Sequence, residues 1–178
     1  MELRWLNREQ YQGFLLKVSY TTQKVYDVVC QENGFSLRSR ELEAPIEKGF
    51  TDTLFGDWLE APVALGAFDG ETLLGVAEGS IESWHQLFRL SNILVFPEHR
   101  GKGIGGQLLE AMVGWAEGLE ACRGVILETQ SCNAPAIAFY KKHGFRLCRI
   151  DLYEYSNTDV EKGEVRVDMM RILTERGR

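Results

Sequence analysis

Residues 91–109 read SNILVFPEHRGKGIGGQLL. An apolar run from Ile93 to Phe96 stops at Pro97, and a short basic, glycine-rich loop follows. Helical periodicity then starts at Ile104 and continues through Leu108, Leu109, Met112, Val113 and Ala116. A strand, a glycine loop and a helix N-terminus in succession aim backbone N–H groups and the positive end of a helix dipole at one point, which suits an anion. Gly101, Gly103, Gly105 and Gly106 carry no Cβ, so a phosphate can approach the main chain, with Arg100 and Lys102 supplying charge beside it. An ordinary tight strand-to-helix turn is the alternative reading.

Two nucleotide motifs fit this loop badly. A P-loop ends in Lys-Ser/Thr, whereas Lys102 lies among the glycines. Gly101, Gly103 and Gly106 match G-x-G-x-x-G, yet a dinucleotide fingerprint opens its domain and this loop lies past the chain's midpoint. The segment closely resembles the acyl-CoA pyrophosphate loop of the GNAT superfamily of N-acetyltransferases, Arg/Gln-x-x-Gly-x-Gly/Ala. Arg100, Gly103 and Gly105 meet it, after a Val-x-Pro strand end at Val95 and Pro97. A helix capped by Asn133 that runs into Tyr140-x-x-x-Gly144-Phe145 agrees independently with the same superfamily.

Composition is consistent with this. The chain has 178 residues, 44% of them hydrophobic, and a formal charge of -6, so a single domain spanning residues 1–178 with one sizeable core is expected. The acidic balance argues against a nucleic-acid partner. The absence of a long apolar stretch or signal pattern makes the cytoplasm the expected location, with no membrane partner. Cys30, Cys122, Cys132 and Cys148 form no C-x-x-C pair, and His85, His99 and His143 are equally scattered, so no metal is expected.

In chain order, MELRWL reads as a strand, residues 7–17 as an Asn7-capped helix, and residues 21–33 as a second helix ended by Gly34. Residues 45–60 read as a loop with a helical turn. Strands are expected over 62–68 and 72–83, joined by an Asp69-Gly70 hairpin, and over 87–96. Beyond the helix that follows the glycine loop come a buried strand over 125–130, the Asn133 helix, and strands over 145–155 and 164–173 around a polar loop. The expected fold is α/β, the GNAT fold, a mixed and mostly antiparallel sheet of six to seven strands with flanking helices. VRVDMMRIL, residues 165–173, has the look of an exposed edge, and the resemblance allows a homodimer through such an edge.

The resemblance implies acetyl-CoA as cosubstrate, held by Arg100, Gly101, Lys102, Gly103, Ile104, Gly105 and Gly106. The pantetheine arm would pair with Leu94 and Val95 and touch Asn133. Tyr140 is implied as the general acid for the departing thiolate, with packing of its helix as the alternative role. The general base is less marked, because residues 87–96 contain no acidic side chain. Glu78 and Glu82 share a strand face by alternation, and Glu128 and Asp151 are the remaining candidates. Glu128 ranks first, since an acid inside a buried-looking run needs a partner or a task. Glu82, Trp84 and Asp151 are candidate acceptor-binding residues. LETQSCNAPAIAFYKKHGF, IDLYEY, GFSLRSR and Trp84 resemble the streptothricin-acetylating branch of the superfamily. The implied acceptor is a primary amine of a small cationic molecule. A protein amino group on the same fold, or a non-catalytic acyl-CoA-binding regulator, is the alternative.

Overall fold

A computed structural model describes residues 1–173. In order the elements are β1 (Glu2–Trp5), α1 (Arg8–Tyr11), β2 (Leu15–Gln31), β3 (Gly34–Thr53), β4 (Val63–Asp69), β5 (Thr72–Glu82) and β6 (Leu87–Val95). A turn of 3-10 helix (Pro97–His99) leads to α2 (Ile104–Glu117), β7 (Gly124–Gln130), α3 (Ala134–Lys142), β8 (Arg146–Asp151), α4 (Asp159–Lys162) and β9 (Arg166–Ile172). Seven strands form a mixed sheet in the order β1-β4-β5-β6-β7-β9-β8, and β2 and β3 pair in a sheet of their own. The expected α/β class and strand number hold. No helix among the described residues is long and apolar enough to cross a membrane.

By contact density the chain divides into two compact units. The first comprises Met1–Val18, Thr51–Leu127 and residues 171–173. Its β1, β4, β5 and β6 run antiparallel, and β7 joins β6 in parallel. On one face, α2 buries Ile104, Leu108, Leu109, Met112, Val113 and Ala116. Trp115 meets the Phe88 ring edge-on at 5.2 Å there. Val76 and Leu94 point to the other face, into a cluster with Leu6, Leu16, Leu54, Phe55, Ala64 and Phe68.

The second unit comprises Ser19–Phe50 and Glu128–Met170. The structure corrects three readings, two of them reaching into this unit. Residues 7–17 hold only the single turn α1 and the start of β2, and residues 21–31 of the expected second helix belong to β2 instead. Val25, Val28 and Val29 do fall at helical spacing, but β-branched Val18, Thr21, Thr22, Val25, Val28 and Val29 with Tyr20 and Tyr26 favour extended backbone. Glu32 and Asn33 make a two-residue hairpin connection where a helix stop was expected, and β3 then runs on through the expected loop as far as Thr53. A lone hairpin is marginal in water. This one is fastened by Tyr26 N–H to the Ser131 carbonyl at 3.0 Å, by Tyr20 Oη against Cys132 Sγ at 3.4 Å, and by Lys48 on Glu164. The fourth correction concerns β9, which lies between β7 and β8 and so is not an edge; β8 is, and the edge-to-edge pairing read from 165–173 loses its basis.

Candidate active site

The glycine loop leaves β6 through Phe96 and the 3-10 turn at Pro97, and ends at Gly103, the N-cap of α2. Gly101 and Gly103 have φ of 78° and 79°, and a Cβ on either would meet nothing within 4 Å. The left-handed backbone, and not crowding, is what calls for glycine there. No side chain caps α2 and no acidic residue stands in its first turn, so the N–H groups of Ile104, Gly105 and Gly106 have no side-chain partner from the cap. Arg100 Nε donates to the Val95 carbonyl at 3.0 Å, which ties the loop to the strand end. Lys102 and Ile104 line a cavity of about 550 Å³ with His99, Gln107, Asp69, Thr72 and Leu74 among its walls. This backbone suits a pyrophosphate.

Upstream, β6 offers a strand edge. Its parallel ladder with β7 runs only from Leu87–Gly124 to Leu90–Leu127, while β6 itself continues to Val95. Leu94 and Val95 are thus paired with Val76 and Gly75 of β5 and have no ladder partner on β7. An extended acyl chain with amide groups fits such an edge as an added strand.

At the other end of the hairpin, Glu82 pairs with Arg89, and its second oxygen lies 3.0 Å from His85 Nε2. Trp84 stacks on the His85 ring at 3.6 Å and 8° while remaining 80% exposed. Glu82 therefore meets two basic groups, and Trp84 presents an open aromatic face.

In the second unit, Asn133 Oδ1 accepts from Ala136 N–H at 3.2 Å and caps α3, as expected. Tyr140 is buried on that helix, its ring 5.3 Å from Phe139 and 5.9 Å from Phe145. Burial pushes its phenol above the ordinary range. Glu128 is not the buried acid its surroundings suggested: Leu127 and Thr129 are buried, and Glu128 between them turns outward. It accepts from Tyr155 Oη at 2.8 Å and meets Arg166 at 3.2 Å. Arg166 also holds Glu154 at 2.6 Å and Asp168 at 2.9 Å. Burial first, and the bond to Glu128 second, push the Tyr155 phenol upward. Asp151 caps a turn, accepting from Tyr153 N–H at 3.0 Å. Sequence reading missed Tyr155 and Arg166; the alternating Arg166-x-Asp168 pair on a strand was the available signal.

Comparisons with known proteins bear on the family and the fold. The acetyltransferase (GNAT) family profile matches residues 29–145. The chain is 36% identical over 154 residues to streptothricin acetyltransferase of Streptomyces lavendulae, covering 80% of this chain and 79% of that one. Its fold is similar to the crystal structure of nourseothricin acetyltransferase, with a TM-score of 0.77 at 27% identity over 97% of this chain and 98% of the other. It is also similar to a Bacillus anthracis structure solved in complex with acetyl coenzyme A, at a TM-score of 0.75 and 20% identity, covering 97% of each chain.

Proposed function

The chain belongs to the GNAT family and is an acetyl-CoA-dependent N-acetyltransferase, and from that premise we propose that its acceptor is a primary amine of a small cationic molecule of the streptothricin type. The observation that carries this reading is the 36% identity to a streptothricin acetyltransferase, sustained over 80% of the chain. The residues present suit the donor. Arg100, Lys102 and the N–H groups from Gly101 to Gly106 are assigned to the pyrophosphate, Leu94 and Val95 to the pantetheine amides, and Asn133 to the same arm. We assign residues 1–178 to one catalytic domain and its reaction to the cytoplasm, where acetyl-CoA is at hand.

The chemistry is direct transfer within a ternary complex, with the amine attacking the thioester without a covalent enzyme intermediate. The amine lone pair attacks the thioester carbonyl carbon, the C–S bond breaks, and Tyr140 Oη gives its proton to the departing sulfur. Glu128 takes the proton that the acceptor's ammonium must lose, directly or through one water, while Tyr155 and Arg166 fix its two oxygens. Trp84 and Asp151 are assigned to the cationic acceptor. Glu82 keeps a lesser part there, because Arg89 already offsets its charge.

The first test is thermal stability with acetyl-CoA, CoA, ATP and NAD, each alone. A ligand at a hundredfold its Kd stabilises by about 2.7 kcal/mol, or roughly 5–10 °C for a chain of this size. Acetyl-CoA and CoA are expected to give that shift and the nucleotides none; a flat response to both CoA forms would remove the donor assignment. A panel of amines headed by streptothricin then tests the acceptor, and turnover of peptide amines alone would favour the protein-modifying alternative. Glu128→Gln is expected to lower kcat/KM for the acceptor by about tenfold to a hundredfold with the acetyl-CoA KM unchanged. Equal turnover by the variant would return the base to water.

A further inference from the structure

Glu78 has no exposed surface, and none of the steps above uses it. It lies on β5 opposite Asn92 of β6, on the face away from α2. Oε1 accepts from Phe55 N–H, and Oε2 accepts from Asn92 Nδ2 at 3.0 Å. The same Nδ2 donates its other hydrogen to Asp52 Oδ2 at 3.0 Å, and Asp52 Oδ1 accepts from Thr53 N–H at 2.7 Å. One amide therefore bridges two carboxylates, and each carboxylate is anchored by a backbone N–H.

The bracket sits at a decisive place in β6. Glu78 pairs with Asn92, whereas the next residue, Gly79, pairs with Leu90, so Ser91 is the extra residue of a bulge. Strict alternation would put Phe88, Leu90, Asn92 and Leu94 on one face. The bulge divides them: Phe88 meets Trp115 of α2, and Leu94 enters the cluster on the other face. Ser91 does not hold the bulge with its own side chain, because its hydroxyl is buried without a hydrogen-bond partner. Asn92, the first residue past the bulge, is the one that is gripped.

We propose that Asp52, Asn92 and Glu78 are positioning residues for the acyl donor, pinning the bulge at Ser91 and thereby the course of the Leu94–Val95 edge. This rests on the reading that acetyl-CoA pairs with that edge. A slip of one residue would exchange the faces of Leu94 and Val95 and misplace every N–H and carbonyl along it. Burial pushes the Glu78 carboxyl up while Phe55 N–H and Asn92 oppose the rise. Both of its neighbours are donors, so its role is that of a double acceptor.

Hydrogen-bond polarity supplies the test. In Glu78→Gln the new NH2 faces a donor on either side, Phe55 N–H or Asn92 Nδ2. Turning Asn92 over relieves that contact and sets its oxygen against Asp52. In the double variant Asp52→Asn/Glu78→Gln the turned Asn92 accepts from both new amides, and both backbone N–H groups keep their acceptors. Acetyl-CoA binding to wild type is measured first; its failure would sink the donor reading itself. Given binding, E78Q is expected to weaken acetyl-CoA by about tenfold or more, raising KM for the donor more than it lowers kcat, and the double variant to return within about threefold of wild type. Wild-type affinity in E78Q with only a lower Tm would make the bracket purely structural and overturn the proposal. A double variant that binds no better than E78Q, or fails to fold, overturns it too. A double variant that binds normally but is inactive would make the carboxylates proton acceptors and end the positioning assignment. If E78Q alone fails to fold, recovery of folding and binding in the double variant supports the proposal.

Discussion

Tyr140→Phe is expected to lower kcat by about 10²–10⁴-fold while leaving the acetyl-CoA KM and the fold nearly unchanged. The substitution removes one hydroxyl and keeps the ring that packs against Phe139 at 5.3 Å and Phe145 at 5.9 Å. α3 keeps its Asn133 cap and its turn at Gly144, where φ is 81°. What is lost is a proton donor. Burial holds the phenol above its ordinary value, so Tyr140 stays protonated through about pH 10 and contributes no alkaline decline below that. The size of the turnover loss, at any pH below that, therefore separates the roles. Wild-type turnover by Tyr140→Phe across pH 6–9 would make Tyr140 a packing residue.

The parts that were legible in the sequence are those set by single-residue backbone rules. Pro97 stops a strand, Gly101 and Gly103 take left-handed backbone, and Asn133 and Gly144 bracket a helix. The β2–β3 hairpin was not, because Val25, Val28 and Val29 satisfy a helical period as well as a strand's composition. Long-range pairing decides between them, as at Tyr26 and Ser131, and no local window contains both. The network around Glu128 was hidden for the same reason, since Tyr155 and Arg166 come from separate later segments. The bulge at Ser91 was hidden differently. Residues 87–95 alternate buried and half-buried almost without interruption, so nothing in the pattern marks the residue at which the buried side changes face.

Gly79→Ala should be among the most damaging single methyl groups that can be added to this chain. Its Cβ would stand 2.3 Å from Phe88 Cζ and 2.5 Å from the Arg89 carbonyl oxygen, at the pair where the register of β5 on β6 shifts. Overpacking of this kind costs about 3 kcal/mol, or roughly 6–12 °C in Tm for a chain of this size. Gly114→Ala is the control, because a Cβ there meets nothing within 4 Å on α2 and should stabilise by about 0.5–1 kcal/mol. The two close contacts differ in kind. A ring end can swing away, but the Arg89 carbonyl is part of the strand, and moving it moves the bulge that sets Leu94 and Val95. Shrinking Phe88 to leucine in the Gly79→Ala background should therefore restore neither stability nor acetyl-CoA binding. Recovery of both would place the conflict in the ring alone and would show that β6 tolerates displacement at its bulge.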